Sequence, residues 1–231
     1  MFLDLDDTIF DHSLTCRDAL ARVRSHYRVL RGKPIDAVWR EYARLLDDTH
    51  GSVMAGRRTP EDARVERFRR LGDWAGDPIP LAAAREVAEA YHRYYTKFRR
   101  EVPGATAAVR RLKEHSRIGI VTNHTVAEQS EKLAFLGLDR AVDLLVTSEE
   151  VGSAKPDPRI FRAALVRADT AAADAVMIGD RWESDVVGAL AAGIRPVWFN
   201  RFGLTRPGAT AVPEFRSFRA VRRLARLVAR A

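Results

Sequence analysis

The sequence predicts an α/β protein, a parallel sheet with helices on both faces, interrupted near its start by an inserted all-helical domain. Three observations carry this. From about residue 101 onward, short apolar runs alternate with helical stretches. Before that, a helical period persists for about 90 residues after Asp11. Ahead of the helical stretch stands one isolated strand-like run, MFLDL. Alternation of this kind belongs to βαβ units, whose strands are covered on both faces and read as nearly continuous apolar runs.

Each element has its own warrant. MFLDL is a first strand whose end carries three acids, Asp4, Asp6 and Asp7. In IDAVWREYARLL, Ile35, Val38, Trp39, Tyr42 and Leu46 recur at helical spacing. TPEDARVERF is a helix start, with Thr59 as cap, Pro60 in the first turn and acids after it. LAAAREVAEAYHRYY sets Ala84, Val87, Ala88 and Tyr91 on one face. Trp39, Tyr42 and Tyr91 are thus expected to pack within the helical domain. Val102-Pro103-Gly104 breaks the rhythm. RIGIVTN is the next strand, followed by a helix through Leu136 that Gly137 ends. DLLVTS, AVMIGD and RPVWFN are further strands, separated by helices at PRIFRAALVRA and near Ser184–Ala192. The same sheet therefore takes its strands from residues 1–13 and 101–231, and 14–100 form the helical insert.

The bulk composition bounds the function. A chain of 231 residues, 46% hydrophobic and 30% charged, describes an ordinary globular protein. No apolar run approaches the ~20 residues of a membrane span, and no basic-then-apolar leader opens the chain. Cys16 is the only cysteine, so the expected setting is reducing and cytoplasmic. The net charge of +8 rests on thirty-four arginines and five lysines spread along the chain. Their densest run is the C-terminal FRSFRAVRRLARLVARA. There Arg219, Arg222, Arg223, Arg226 and Arg230 fall on one helical stripe and Val221, Leu224, Ala225 and Val228 on another. This is expected to be a terminal helix with its arginines in water.

In open parallel sheets, ligands bind beyond the carboxyl ends of the strands. Four segments send polar side chains to that rim: Asp4-Leu5-Asp6-Asp7-Thr8, Thr122-Asn123-His124, Ser153-Ala154-Lys155-Pro156, and Gly179-Asp180 with Asp185 five residues on. Strand alternation points Asp4 and Asp6 the same way. Carboxylates crowded at one mouth repel unless a cation joins them. Asp4, Asp6 and Asp180 are hard oxygen donors without histidine or thiolate, which suits Mg²⁺ better than zinc. A metal, an ammonium and a hydroxyl in one crevice describe a phosphoryl-binding site.

The set DLDDT, VTN, the lysine of AKPDP and GDRWESD resembles the haloacid dehalogenase superfamily, in its phosphatase branch with a helical cap after the first motif. The four motifs occur in order and span the whole core. The resemblance implies a Rossmann-like catalytic core at 1–13 and 101–231 and a cap domain at 14–100 that opens and closes over the site. It implies that Asp4 attacks phosphorus and forms an aspartyl phosphate, and that Asp6 protonates the leaving alkoxide and then activates water. Mg²⁺ would be held by the Asp4 carboxylate, the Asp6 backbone carbonyl and Asp180. Thr122 and the backbone N–H of Asn123 would bind phosphoryl oxygens, and Lys155 would offset charge on phosphate and Asp4. Asp185 would support the metal or orient Lys155. Asp7 stands where many relatives have glycine and takes no chemical role.

Other activities compete for the same motifs. Dehalogenases of the superfamily use no metal and lack an acid at the position of Asp6, which argues against that reaction. Phosphomutases share all four core motifs and differ mainly in the cap. A non-catalytic fold with a basic, nucleic-acid-binding surface is a different class, which the intact motifs oppose. His12 and His124 lie near the mouth, where each is as readily a surface residue as a substrate contact. GDRWESDVVGALAAGIRPVWFNR is similar to the clade that contains nucleoside 5′-monophosphate and N-acylneuraminate 9-phosphatases. The expected partner is therefore a small phosphorylated metabolite, a nucleotide or sugar phosphate, and neither a membrane nor nucleic acid. No feature sets an oligomeric state. Met1-Phe2-Leu3 leaves less strand ahead of Asp4 than the usual five or six residues, and the expectation is a natural start upstream.

Overall fold

Five of the apolar runs form strands: β1 (Phe2–Leu3), β2 (Gly119–Thr122), β3 (Leu144–Thr147), β4 (Val176–Gly179) and β5 (Arg195–Phe199). A two-residue β6 (Glu214–Phe215), too short to carry a pattern in sequence, completes the sheet. The computed structural model describes residues 1–25, 27–208 and 211–220. The strand order is β3-β2-β1-β4-β5-β6, and the pairings are parallel throughout. β1 lies in the middle, with Leu3 in register with Ile120 of β2 on one side and Ile178 of β4 on the other. A strand of two residues holds its place there because neighbours bond it on both edges and Phe2, Leu3 and Leu5 are buried. The chain order reverses at β1, the switch point where such sheets open a crevice.

The chain divides into two units, one of Met1–Asp11 with Arg100–Ala231 and the other of His12–Arg99. The second unit is helical: α1 (His12–Arg24), α2 (Arg28–Arg31), α3 (Ile35–Met54), α4 (Pro60–Ala75) and α5 (Leu81–Phe98). Thr59 caps α4 by accepting from the Asp62 N–H at 3.0 Å, Pro60 fills its first turn, and Gly76 ends it in the left-handed conformation. The apolar faces meet in a core around Tyr42, Phe68 and Tyr91, whose ring centroids lie 5.2 to 5.5 Å apart. Trp39 packs against this core and Cys16 is buried in it. The sole thiol is therefore a core side chain.

In the first unit, α6 (Ala105–Lys113) precedes β2, and α7 (Val126–Phe135) joins β2 to β3. α8 (Ser148–Val151) and α9 (Pro158–Ala168) lie between β3 and β4, and α10 (Gly188–Ala191) precedes β5. The helix expected from Ser184 begins earlier, as a π-helical turn over Trp182–Val187 that runs into α10. Ile160, Phe161 and Ala164 of α9 pack with Ala189 against Phe2, Val121, Val146 and Met177 of the sheet. Burying each large apolar side chain there contributes about 2 kcal/mol. Ile9–Asp11 and 100–102 pair antiparallel, with Val102 N–H donating to the Ile9 carbonyl at 2.7 Å and Asp11 N–H to that of Arg100 at 3.0 Å. Arg219 lies in a 3-10 turn, Phe218–Ala220. The rest of the expected C-terminal helix, residues 221–231, lies outside the described residues. Among the described residues, no helix is long and apolar enough to cross a membrane.

Candidate active site

The carboxyl end of β1 builds the site. Asp4 N–H donates to the Ile178 carbonyl at 2.8 Å, so the ladder with β4 runs one residue past the strand. The chain then turns sharply. The Leu5 carbonyl accepts from both Ile9 and Phe10 at 2.9 Å, and Asp7 takes φ 60°. That is the left-handed region, where glycine costs least and aspartate is among the tolerated alternatives. The turn ends the alternation that would aim Asp4 and Asp6 alike, and the two carboxylates take different partners.

Asp4 is nearly buried, with Oδ1 accepting from Lys155 Nζ at 2.6 Å. The same ammonium reaches Asp185 Oδ1 at 2.6 Å. The other Asp185 oxygen accepts from the Arg181 N–H at 2.9 Å, which the π-helical turn brings within reach. Asp180 follows β4 directly, and its carbonyl accepts from the Trp198 indole at 2.8 Å. Asp4, Asp180 and Asp185 each present an oxygen within 4.8 Å of the other two. Burial pushes the Asp4 carboxyl up to about 7, against the pull of Lys155. Burial, then Asp4 and Asp185, hold Asp180 well above the usual carboxylate range. Burial pulls Lys155 down, yet Asp185 and Asp4 override it and keep its pKa above the ordinary value.

Three carboxylates thus cluster beside one ammonium, which bonds two of them, Asp4 and Asp185, and ionising all three against that single charge leaves an excess of two negative charges. A divalent cation cancels that excess, and an all-oxygen donor set suits a hard one. The residues present fit a metal site.

Thr122 is the buried last residue of β2. The Asn123 side chain clasps the backbone of Lys155, its Nδ2 donating to the carbonyl at 2.9 Å and its Oδ1 accepting from the N–H at 2.7 Å. Asn123 thereby ties the end of β2 to the lysine loop through its side chain, a part that its position in VTN did not suggest. His124 pairs with Glu128 at 3.2 Å, and His12 bonds Tyr95 at 3.0 Å within the helical unit.

The Asp6 carboxylate lies outside the three-carboxylate cluster. It is held by Lys132 and Gln129 of α7, neither of which the motifs single out. Thr8, fully buried, was also missed: its hydroxyl stands 3.2 Å from both Asp4 Oδ2 and Asp180 Oδ1 and bridges them. Its place in DLDDT, four residues after Asp4, was the available signal. Glu128, a second partner of Lys132, would be raised by its burial, but Lys132 and His124 hold it at about 2.

A family model described as haloacid dehalogenase-like hydrolase matches residues 1–193. A phosphoserine phosphatase of Thermus thermophilus is 34% identical, over 94% of this chain and 94% of that protein. A glyceraldehyde 3-phosphate phosphatase of Pyrococcus abyssi is 32% identical, over 86% of this chain and 80% of that protein. The HAD-hydrolase YfnB of Bacillus subtilis, solved bound to magnesium, superposes with a TM-score of 0.74 at 22% identity, over 98% of this chain and 96% of that one. That last likeness is one of fold.

Proposed function

The chain belongs to the haloacid dehalogenase-like hydrolases, and on that footing we propose that it is a Mg²⁺-dependent phosphatase that cleaves small phosphomonoesters through an aspartyl phosphate on Asp4. The observation that carries this is the clustering of the Asp4, Asp180 and Asp185 carboxylates at the carboxyl edge of the sheet, with the Lys155 ammonium bonded to Asp4 and Asp185. The named phosphatase relatives support the same class of reaction.

In this reading the Asp4 carboxylate attacks phosphorus while the ester P–O bond breaks, and Asp6 gives its proton to the departing alkoxide. Asp6 then takes a proton from water, the water oxygen attacks phosphorus, and the acyl phosphate bond breaks to release phosphate and restore Asp4. Lys155 offsets charge on Asp4 and on the incoming phosphate, Thr122 and the Asn123 N–H hold phosphoryl oxygens, and Asp185 fixes Lys155. Asp4, Asp180, Asp185 and the Asp6 carbonyl are the ligand groups for Mg²⁺. When bound, the ion supplies positive charge that offsets repulsion between nucleophile and phosphate. Thr8 keeps the Asp4 and Asp180 carboxylates in one arrangement.

The substrate is a small phosphorylated metabolite, with sugar phosphates and nucleotides the first classes to try. The test is phosphate release from nucleoside monophosphates, sugar phosphates, phosphoserine and phosphoglycolate, with Mg²⁺ and with EDTA, for the wild type and Asp4→Asn. Turnover that needs the metal and disappears in the variant supports the reading. A folded protein that releases phosphate from none of them, or equally well with EDTA, overturns it.

A further inference from the structure

Lys132 is a buried cation that no catalytic motif accounts for. Its side chain is 2% exposed, and Nζ stands 2.8 Å from each Asp6 carboxylate oxygen and 2.9 Å from Glu128 Oε1. Gln129, wholly buried on the same helix, adds a third bond, donating to Asp6 Oδ2 at 3.1 Å. The Phe10 ring lies 5.4 Å from Nζ and covers the ammonium. Taking an ammonium out of water costs several kcal/mol, which only good geometry with its partners offsets. Glu128, four residues earlier on α7, is a local partner. The contact to Asp6 is different in kind, because it spans 126 positions of sequence and engages both oxygens.

That geometry has a consequence for Asp6. A carboxylate two residues from Asp4, beside a site that suits a hard cation, is itself a potential ligand, and a ligated carboxylate cannot carry a proton back and forth. We propose that Lys132, with Gln129, is a positioning residue that holds the Asp6 side chain apart from the Asp4, Asp180 and Asp185 cluster and fixes it for proton transfer at the leaving oxygen. The inference rests on the reading of Asp6 as the proton-transfer group.

The test is a double-mutant cycle on kcat/KM with two substrates, an alkyl phosphomonoester and 2,4-dinitrophenyl phosphate, whose leaving group needs no proton. Lys132→Met is expected to lose about a hundredfold on the alkyl ester, the scale of a misplaced catalytic group, and less than about tenfold on the aryl ester, where acid catalysis contributes little. Asp6→Asn/Lys132→Met should be no worse than Asp6→Asn. Glu128→Gln, which breaks the local partner only, should keep the wild-type ratio between the two substrates, and Lys132→Arg should recover part of the alkyl rate. Equal losses on both substrates, or losses that multiply in the double variant, overturn the proposal by making Lys132 a structural or independent group. If Lys132→Met does not fold, Lys132→Gln is read in the same way. A loss on Asp6→Asn alone, with Lys132→Met unaffected, sinks this inference and spares the proposed function. An Asp6→Asn enzyme with an intact alkyl rate overturns the role of Asp6 and the inference with it.

Discussion

Asp185 packs its carboxylate against the bare Cα of Gly179, so closely that a Cβ there would stand 2.3 Å from Asp185 Cγ. This is why the last strand before the GDRWESD turn ends in glycine. The close approach lets a buried carboxylate reach the same Lys155 ammonium that Asp4 engages.

Gly179→Ala is therefore expected to push Asp185 aside, and Lys155 with it. Overpacking a tight site costs about 1–3 kcal/mol. The melting temperature should fall and phosphate release should drop by at least about tenfold, because the lysine that neutralises Asp4 moves. A variant as active and as stable as the wild type would show that Asp185 has room to spare.

Lys155→Met leaves Asp4 and Asp185 buried without their shared ammonium. Removing one partner of such a buried group costs about 3–5 kcal/mol. Chemical denaturation of the metal-free protein measures it, and turnover should be lost as well. The deficit is expected to shrink when Mg²⁺ is added, since a cation relieves the same repulsion.

The metal-free protein should lose stability as pH rises from 5 to 8. Burial raises the Asp4 carboxyl from 3.8 to about 7, so between those values the folded state holds a proton that the unfolded chain has released. Stability then falls with rising pH across that window, and Asp180, raised for the same reason, adds to the slope. Glu128 is lowered to about 2, and its contribution is lost only in acid, below this range. Thermal melts should show a shallower decline for Asp4→Asn. They should also show a larger gain from Mg²⁺ at pH 8 than at pH 5, because proton and cation compete for the same oxygens.

Asp7 carries the strained turn. Asp7→Gly should be stable to within about 1 kcal/mol of the wild type, or better, because φ 60° costs glycine nothing. Asp7→Val should lose about 1–2 kcal/mol, the penalty of a branched side chain in the left-handed region. Melting temperatures of the two variants decide it, and similar values for both would show that the turn relaxes.

The parallel sheet and the helical stretches were legible because they repeat locally. Val176–Gly179 and Gly119–Thr122 are apolar runs buried on both faces, and α4 announces its start with Thr59 and Pro60. The turn at Gly137 was legible for the same reason, since its φ of 63° is a property of one residue. β6 was not, because two residues have no period, and its pairing depends on where β5 lies. The π-helical turn at Trp182 escaped as well, since its register is set by the Asp185 carboxylate returning to the Arg181 N–H.

The site divides along the same line. Asp4, Asp6, Lys155 and Asp180 stand out in the sequence because each lies in a short motif whose neighbours form the turn that holds it. Local pattern was thus enough for the α/β class, the family and the acids at the strand ends. Which groups those acids face depends on how distant segments pack. Lys132 and Gln129 meet Asp6 from a helix more than 120 residues away, and Asn123 spends its side chain on the Lys155 backbone rather than facing outward. Such contacts obey no sequence period. They follow from the parallel order of β2, β1 and β4, which brings distant chain segments to one edge where buried charges must find partners.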